Sequence, residues 1–361
     1  MKKMISILAI PIFVLSLCGA GIELARAQTS SHPVFQKGMT YVTWTKDGFS
    51  TKKSDESLKA MAGAGINYVA IVVTLYQRDF NSVEITPAEW SPSDKSVRHV
   101  IRKARELGMN VLLKPHIDLL SEDGTRSDIG FQTEKKWRAW LDSYLKFISR
   151  YARIAREEQA EIFCVGTELS FASMKEEMWK NDIIPAVRKL YPGKITYAAN
   201  WDEYDRIEFW DDLDYAGINA YFSLSKKSNP AYGELKEGWK KWLGDIEKWQ
   251  ARVGKPVLFT EAGYCSADSA ARKPWEEGRA GKANLRLQAD CYKALFETFW
   301  HKSWFFGIYW WSWSTYPGSG GEWHRGFTPQ NKLALNYLKK WYGMTIFEKT
   351  SALAPPLKNK K

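Results

Sequence analysis

The sequence is poor in the residues that metal and redox chemistry use. Its five histidines include no ligand-spaced set such as H-E-x-x-H, so no bound metal or other cofactor is expected. Of its four cysteines only Cys164, Cys265 and Cys291 lie beyond the first 27 residues. An odd number leaves at least one thiol unpaired even in an oxidising compartment. Cys164 sits inside an apolar run and reads as a buried, inert thiol, while a Cys265–Cys291 bridge stays open because geometry decides it. No glycine-rich fingerprint follows the first strand, which argues against a doubly wound dinucleotide fold. No apolar run is long enough to span a bilayer: Met4 to Leu17 is short, broken by Ser6, Pro11 and Ser16, and soon followed by Glu23 and Arg26. The formal charge of +11 is scattered among acidic residues, with one clear basic cluster at Lys358-Asn359-Lys360-Lys361. A nucleic-acid partner would want that charge gathered on one stripe, so none is expected.

What the N-terminus does contain reads as an export signal. Lys2 and Lys3 precede the apolar stretch, and Ala25-Arg26-Ala27 supplies a small-residue cleavage site. Residues 1–27 are therefore expected to be removed, leaving a secreted chain, extracellular or periplasmic, with no stable membrane insertion and acting as a monomer. Residues 28–345 are expected to form one catalytic domain, followed by a basic, disordered tail over 346–361.

Along that domain, short apolar β-branched runs alternate with longer amphipathic segments, the pattern of a parallel sheet with crossover helices. Strands are expected at Met39–Trp44, Tyr68–Thr74, Asn110–Lys114, Ile162–Val165, Ile195–Ala198, Tyr215–Ile218, Pro256–Thr260 and Gly307–Trp311. Helical periodicity covers Ser54–Ala64, Ser93–Leu107, Trp137–Arg156, Met174–Leu190, Trp239–Arg252, Ala283–Trp300 and Asn331–Tyr342. The stretch Trp201–Trp210 is too short for a full helix and predicts a distorted fifth unit. The fold class is α/β, a single (β/α)8 TIM barrel.

Active sites of such barrels are built where strands end. The ends read here give Trp44, Tyr76, His116 with Asp118, Glu168, Asn200 with Trp201, Asn219 with Tyr221, Glu261, and the cluster Tyr309 to Trp313. Period-two alternation puts Tyr309, Trp311 and Trp313 on one face of the last strand. A glutamate has no packing reason to sit where a buried strand stops. Two of them, Glu168 and Glu261, suit a pair of carboxylates that handle a proton and attack a sugar carbon. The amides and carboxylates hydrogen-bond hydroxyls, and indole faces stack on pyranose C–H faces. By contrast Trp137, Trp140, Trp239 and Trp242 fall at helical spacing and read as packing, and Asp118 and Asp202 as turn or cap residues.

The motifs Gly38-Met39-Thr40-Tyr41, Lys114-Pro115-His116, Gly166-Thr167-Glu168-Leu169, Gly217-Ile218-Asn219-Ala220-Tyr221 and Phe259 to Tyr264 resemble family 113 of the glycoside hydrolases. That family belongs to a clan of retaining (β/α)8 glycosidases, and its best-known activity is endo-β-1,4-mannanase. The resemblance runs from about Phe35 to Tyr342. It implies Glu168 as acid/base, Glu261 as nucleophile, Tyr221 as the tyrosine that positions the nucleophile, and Trp311 as the platform under the sugar. Trp44, His116, Asn200, Trp201, Asn219 and Trp313 complete the expected substrate-binding set. One departure is Thr167, where many clan members carry the Asn that binds the sugar 2-hydroxyl; His116, Asn200 or Asn219 can supply that contact instead.

The expected function is a secreted retaining hydrolase of β-1,4-mannosidic bonds in mannan or glucomannan, its partner a polysaccharide or oligosaccharide. The alternatives are the same mechanism on a glucan, xylan or exopolysaccharide, or a non-catalytic carbohydrate-binding barrel. Retention requires the two carboxyl groups roughly 5–5.5 Å apart. Protonated Glu168 and ionised Glu261 are the states the chemistry needs.

Overall fold

The computed structural model describes residues 34–277 and 282–344; the expected signal segment and basic tail lie outside them. Eight parallel strands close into a barrel in sequence order: β1 (Gln36–Val42), β2 (Tyr68–Gln77), β3 (Asn110–Leu119), β4 (Ile162–Thr167), β5 (Lys194–Asn200), β6 (Tyr215–Asn219), β7 (Val257–Ala262) and β8 (Phe305–Ser314). β1 pairs with both β2 and β8, which leaves no open edge. The first strand stops at Val42, so Trp44 belongs to the loop that follows. β3 runs on to Leu119, which places His116 and Asp118 within the strand rather than after it.

The crossovers begin with α1 (Lys52–Gly63), α2 (Asp94–Glu106) and α3 (Glu134–Glu157). Each starts on a hydroxyl cap that accepts an otherwise unpaired backbone N–H: Thr51 from Ser54, Ser93 from Ser96, Thr133 from Lys136. The single helix expected over Met174–Leu190 is instead a broken series. It comprises α4 (Ser170–Ser173), α5 (Glu176–Met178), a π-turn at Trp179–Ile183 and α6 (Ile184–Leu190). Pro185 stands in the first turn of α6 and has no N–H to donate back, so a regular helix cannot run through it. The fifth crossover is reduced to two 3-10 turns, Tyr204–Arg206 and Trp210–Asp212. Then come α7 (Tyr232–Val253), α8 (Leu285–Phe299) and α9 (Leu333–Tyr342). α7 ends on Gly254 at φ 69°, a left-handed position that costs glycine nothing. No helix among the described residues is long and apolar enough to cross a membrane.

The larger core lies between the barrel wall and the helices, where Trp137, Trp140 and Trp239 are buried, and Trp242 packs against that core beside Trp201 and Phe222. Inside the barrel, Ala70, Leu112, Ile162 and Tyr309 plug the lower half. Above that apolar plug the interior turns polar, with Lys114, Asn219, Thr260 and Glu261 all buried. Cys164, Cys265 and Cys291 are buried free thiols, which settles the open bridge.

Candidate active site

Alternation along β3 explains the first part of the site. Val111, Leu113 and Ile117 join the outer core, so Leu112, Lys114 and His116 face the barrel axis. The two glutamates arrive differently, through β-bulges. On β7 the register with β6 passes from Ile218↔Phe259 to Asn219↔Glu261, inserting one extra residue at Thr260. Thr260 and Glu261 therefore both reach the interior, the former donating its hydroxyl to Asn219 Oδ1 at 2.9 Å. On β4 the pairing shifts between Cys164 and Thr167, just before Glu168. Glu168 itself has φ 52°, in the left-handed region that a side chain with a Cβ adopts at a cost of about 1–3 kcal/mol. Its backbone is held there by N–H donation to Ala198 O at 2.9 Å and by Ser127 Oγ donating to its carbonyl at 3.1 Å.

Glu261 is 4% exposed and fully engaged. Lys114 Nζ donates to its Oε1 at 2.6 Å, and the Tyr221 hydroxyl donates to its Oε2 at 2.7 Å. Lys114 also donates to Asn219 Oδ1 and to the Thr260 carbonyl, both at 3.2 Å. Asn219 in turn donates Nδ2 to Glu168 Oε1 at 2.9 Å. A buried chain of hydrogen bonds thus links the two carboxylates through an amide and an ammonium. The other oxygen of Glu168, Oε2, accepts from Arg126 Nη1 at 2.8 Å.

Burial raises the pKa of Glu261; the Lys114 cation opposes that and the charge of Glu168 adds to it, leaving the net direction upward. Ionising Glu261 is therefore harder here than in water, and Lys114 does more for it than Tyr221. Burial, then the neighbouring Glu261 carboxylate, pushes the Tyr221 hydroxyl well up, so it stays a donor. Burial, with Arg126 and Lys114 close by, drives His116 well below its ordinary value and keeps the imidazole neutral. His116 Nε2 lies 3.7 Å from Glu261 Oε1 and has no hydrogen-bond partner.

Trp44, His116, Glu168, Asn200, Trp201, Tyr221, Glu261 and Trp311 line one cleft of about 580 Å³. An adjoining hollow of about 620 Å³ shares Trp44, Trp311, Glu277 and Phe327 with it. Asn219 stands behind the cleft wall, bonded to both carboxylate systems rather than presented to a ligand. Trp313 is a correction. The β1–β8 register runs Met39↔Trp310 and then Tyr41↔Trp313, so one extra residue on β8 reverses the alternation. Tyr309 and Trp311 keep their inward face, while Trp313 turns out, is 2% exposed and donates Nε1 to Ser57 Oγ of α1 at 2.9 Å. Thr167 is likewise buried, against Cys164, and lies outside the cleft.

Sequence reasoning passed over Lys114 and Arg126 as site groups. Lys114 carried a signal, since a lysine inside an apolar strand needs a buried partner; Arg126, in the loop after β3, carried none. Trp275 also went unremarked. It stacks on Trp201 with ring centroids 5.6 Å apart and planes 9° from parallel, widening one end of the cleft.

The arrangement resembles other solved barrels. A structure described as the complex of a GH113 β-1,4-mannanase is 29% identical, covers 86% of this chain and 99% of its own, and superposes with a TM-score of 0.77. The GH113 β-mannanase from Alicyclobacillus acidocaldarius, solved in complex with ManMIm, is 26% identical over 86% and 97%, with a TM-score of 0.78. A family 5 mannosidase from Rhizomucor miehei, at 14% identity, 86% and 93% coverage and a TM-score of 0.62, shares the fold. Among curated protein sequences no match was found. The sequence profile of Glycoside Hydrolase Family 113 matches residues 39–332, a span that takes in both strand-end glutamates and every strand end of the cleft. With a carboxylate pair, a cleft and that profile in agreement, the chain belongs to glycoside hydrolase family 113 and is a glycoside hydrolase.

Proposed function

We propose that the enzyme hydrolyses β-1,4-mannosidic bonds with retention of anomeric configuration, Glu261 acting as nucleophile and Glu168 as acid/base. The observation that carries this reading is the joining of two strand-end carboxylates in one cleft by the Asn219–Lys114 hydrogen-bond chain. In the first step Glu261 attacks the anomeric carbon while Glu168 protonates the departing oxygen. In the second, water activated by Glu168 releases the sugar from Glu261. Tyr221 and Lys114 hold the nucleophile and stabilise its charge; their grip passes to the ester oxygen as the bond forms. The free Nε2 of His116, beside the nucleophile, is a ready partner for a hydroxyl of the bound sugar. Trp311 lies parallel to the His116 ring, 6° between planes, and offers its indole as the platform.

The mannan preference is supported by the mannanases among the structural relatives. Export from the cytoplasm is supported by the charge, apolar stretch and cleavage pattern of residues 1–27. The test is release of reducing ends from mannan, glucomannan, cellulose and xylan, with Glu261→Ala as the blank and proton NMR of the first-formed anomer. Mannan cleavage giving the β-anomer is expected. Inversion would remove the nucleophile role from Glu261, and binding of mannan without turnover would remove the catalytic reading altogether.

A further inference from the structure

Arg126 belongs to a short 3-10 turn, Arg126–Asp128, in the loop between β3 and α3. That turn is fixed at its start: Asp128 accepts from the Thr125 N–H at 2.8 Å, and Thr125 Oγ1 accepts from Ser127 N–H at 3.3 Å. The guanidinium has three neighbours. Nε donates to the Ile117 carbonyl at 2.8 Å, Nη1 to Glu168 Oε2 at 2.8 Å, and Nη2 lies 3.5 Å from Asp118 Oδ2. Fork-shaped donors of this kind orient a carboxylate more firmly than a point charge does.

Protonation takes the charge and one lone pair from the oxygen that carries the proton, so a donor holds that oxygen less firmly, and both oxygens of Glu168 accept a donor as the site stands. One contact weakens. The Asn219 contact is locked, because its Oδ1 accepts from Lys114 and Thr260 and the residue is wholly buried. The Arg126 contact is not locked, since Asp118 offers a second carboxylate within reach and its side chain is 42% exposed.

Resting on the acid/base reading of Glu168, we propose that Oε2 is the oxygen that carries the transferred proton. Arg126 is then a positioning residue that pairs with Glu168 in its carboxylate form and with Asp118 in its acid form. In glycosylation the C1–O bond to Glu261 forms, the bond to the leaving oxygen breaks, and that oxygen takes the proton from Oε2. Arg126 then closes on the new carboxylate and holds it as the base. In deglycosylation water attacks C1, the ester to Glu261 breaks, and the water's proton goes to Oε2, which sends Arg126 back to Asp118.

The test compares kcat/KM, which reports glycosylation, on mannohexaose and on a 2,4-dinitrophenyl β-mannobioside whose leaving group needs no acid. Glu168→Gln sets the reference, because loss of the acid spares the activated substrate. A general acid contributes about 10²–10⁴-fold, so Arg126→Met is expected to cost about 10–100-fold on mannohexaose and only a few-fold on the aryl substrate. Arg126→Lys is expected to recover part of the loss, and Asp118→Asn to show a smaller loss with the same substrate dependence. In the Arg126→Met/Glu168→Gln double variant the arginine change is expected to add nothing on mannohexaose. Equal losses on both substrates, or full additivity in the double variant, with the Glu168→Gln reference behaving as stated, overturn the role of Arg126. Failure of the Glu168→Gln reference itself to separate the substrates overturns the acid/base reading. Thermal melts of each variant identify any that fail to fold, and Arg126→Lys then carries the test.

Discussion

Replacing Lys114 by Met tests the electrostatics of Glu261, the proposed nucleophile, most directly. The ammonium sits 2.6 Å from Glu261 Oε1 in a site from which both groups are excluded from water. Coulomb's law at an effective dielectric of about 20 gives about 6 kcal/mol at that separation. This is an upper bound, because losing the ammonium also removes its own burial cost and lets the pocket relax. Carboxylates beside a single cation commonly shift by about 1–3 pH units, which is about 1.4–4 kcal/mol. Burial already raises Glu261 and Lys114 opposes it. Without Lys114 the carboxyl holds its proton to higher pH, and the acid limb of the kcat/KM profile is expected to move up by about 1–3 units. The loss at pH 5 should greatly exceed the loss at pH 8.

The same variant has a stability signature whose sign is fixed. A carboxyl with its folded value above its unfolded one contributes stability that is complete below the unfolded value and is lost as pH rises through the folded value. Lys114→Met should therefore lose more melting temperature, relative to wild type, at pH 8 than at pH 4. Lys114→Arg, which keeps the charge, should leave the acid limb nearer to wild type. A folded Lys114→Met enzyme whose acid limb does not move would refute the reasoning, because some other group would then be keeping Glu261 ionised.

Tyr221→Phe removes the 2.7 Å donor to Glu261. A hydrogen bond to a charged group is worth about 1.5–3 kcal/mol, so kcat should fall about 10–150-fold on natural and activated substrates alike. Trp313→Ala is expected to cost about 3–5 kcal/mol of stability, read by denaturant unfolding, with little change in KM. Trp311→Ala should do the reverse, raising KM for mannan oligosaccharides with a small change in melting temperature. Lys332, buried and donating to Ser266 Oγ and the Gly326 carbonyl, has its pKa lowered to about 7, mainly by burial. Since the unfolded chain keeps that proton up to its ordinary value, stability should rise with pH above 7, and Lys332→Met should flatten the rise in melting temperature between pH 7 and 10.

The eight strands were legible because a parallel strand buried on both faces must be a short apolar run, and these runs are separated by amphipathic segments of crossover length. Of the groups on β3, His116 was legible as a residue near a strand end, whereas Lys114 was not read as part of the site. β2 and β3 pair without interruption from Tyr68↔Asn110 to Gln77↔Leu119, so strict alternation places His116 correctly. Alternation fails on β8, where the extra residue before Trp313 sends that side chain to the helix layer. The sequence Trp310-Trp311-Ser312-Trp313 carries no mark of this, since every position is compatible with either face. Arg126 was invisible for another reason. Its contact with Glu168 spans a loop, and loop closure depends on the whole chain rather than on any local period. Pro185 shows the opposite case, a local signal that was present in the sequence and that decides where the helix breaks.

The distribution of irregularity over the barrel follows from what the chemistry asks of it. A strictly alternating β7 would send Glu261 to the helix side, opposite to Thr260, because neighbours on a strand face opposite ways. The site needs both inside: Thr260 to hold the Asn219 amide, and Glu261 to meet the substrate. One inserted residue achieves that at the expense of a ladder hydrogen bond. β4 makes a similar departure and then sets Glu168 at a positive φ, so the carboxyl leaves the strand at an angle that regular backbone does not provide. The regular pair β2–β3 carries the groups that need only the ordinary inward direction. Bulges thus stand at the strand ends that bear Glu168, Glu261 and Trp311, above the apolar plug of Ala70, Leu112, Ile162 and Tyr309. A barrel of this kind can carry such departures because its lower half and helix layer are closely packed, and the ends can be bent without loosening the rest.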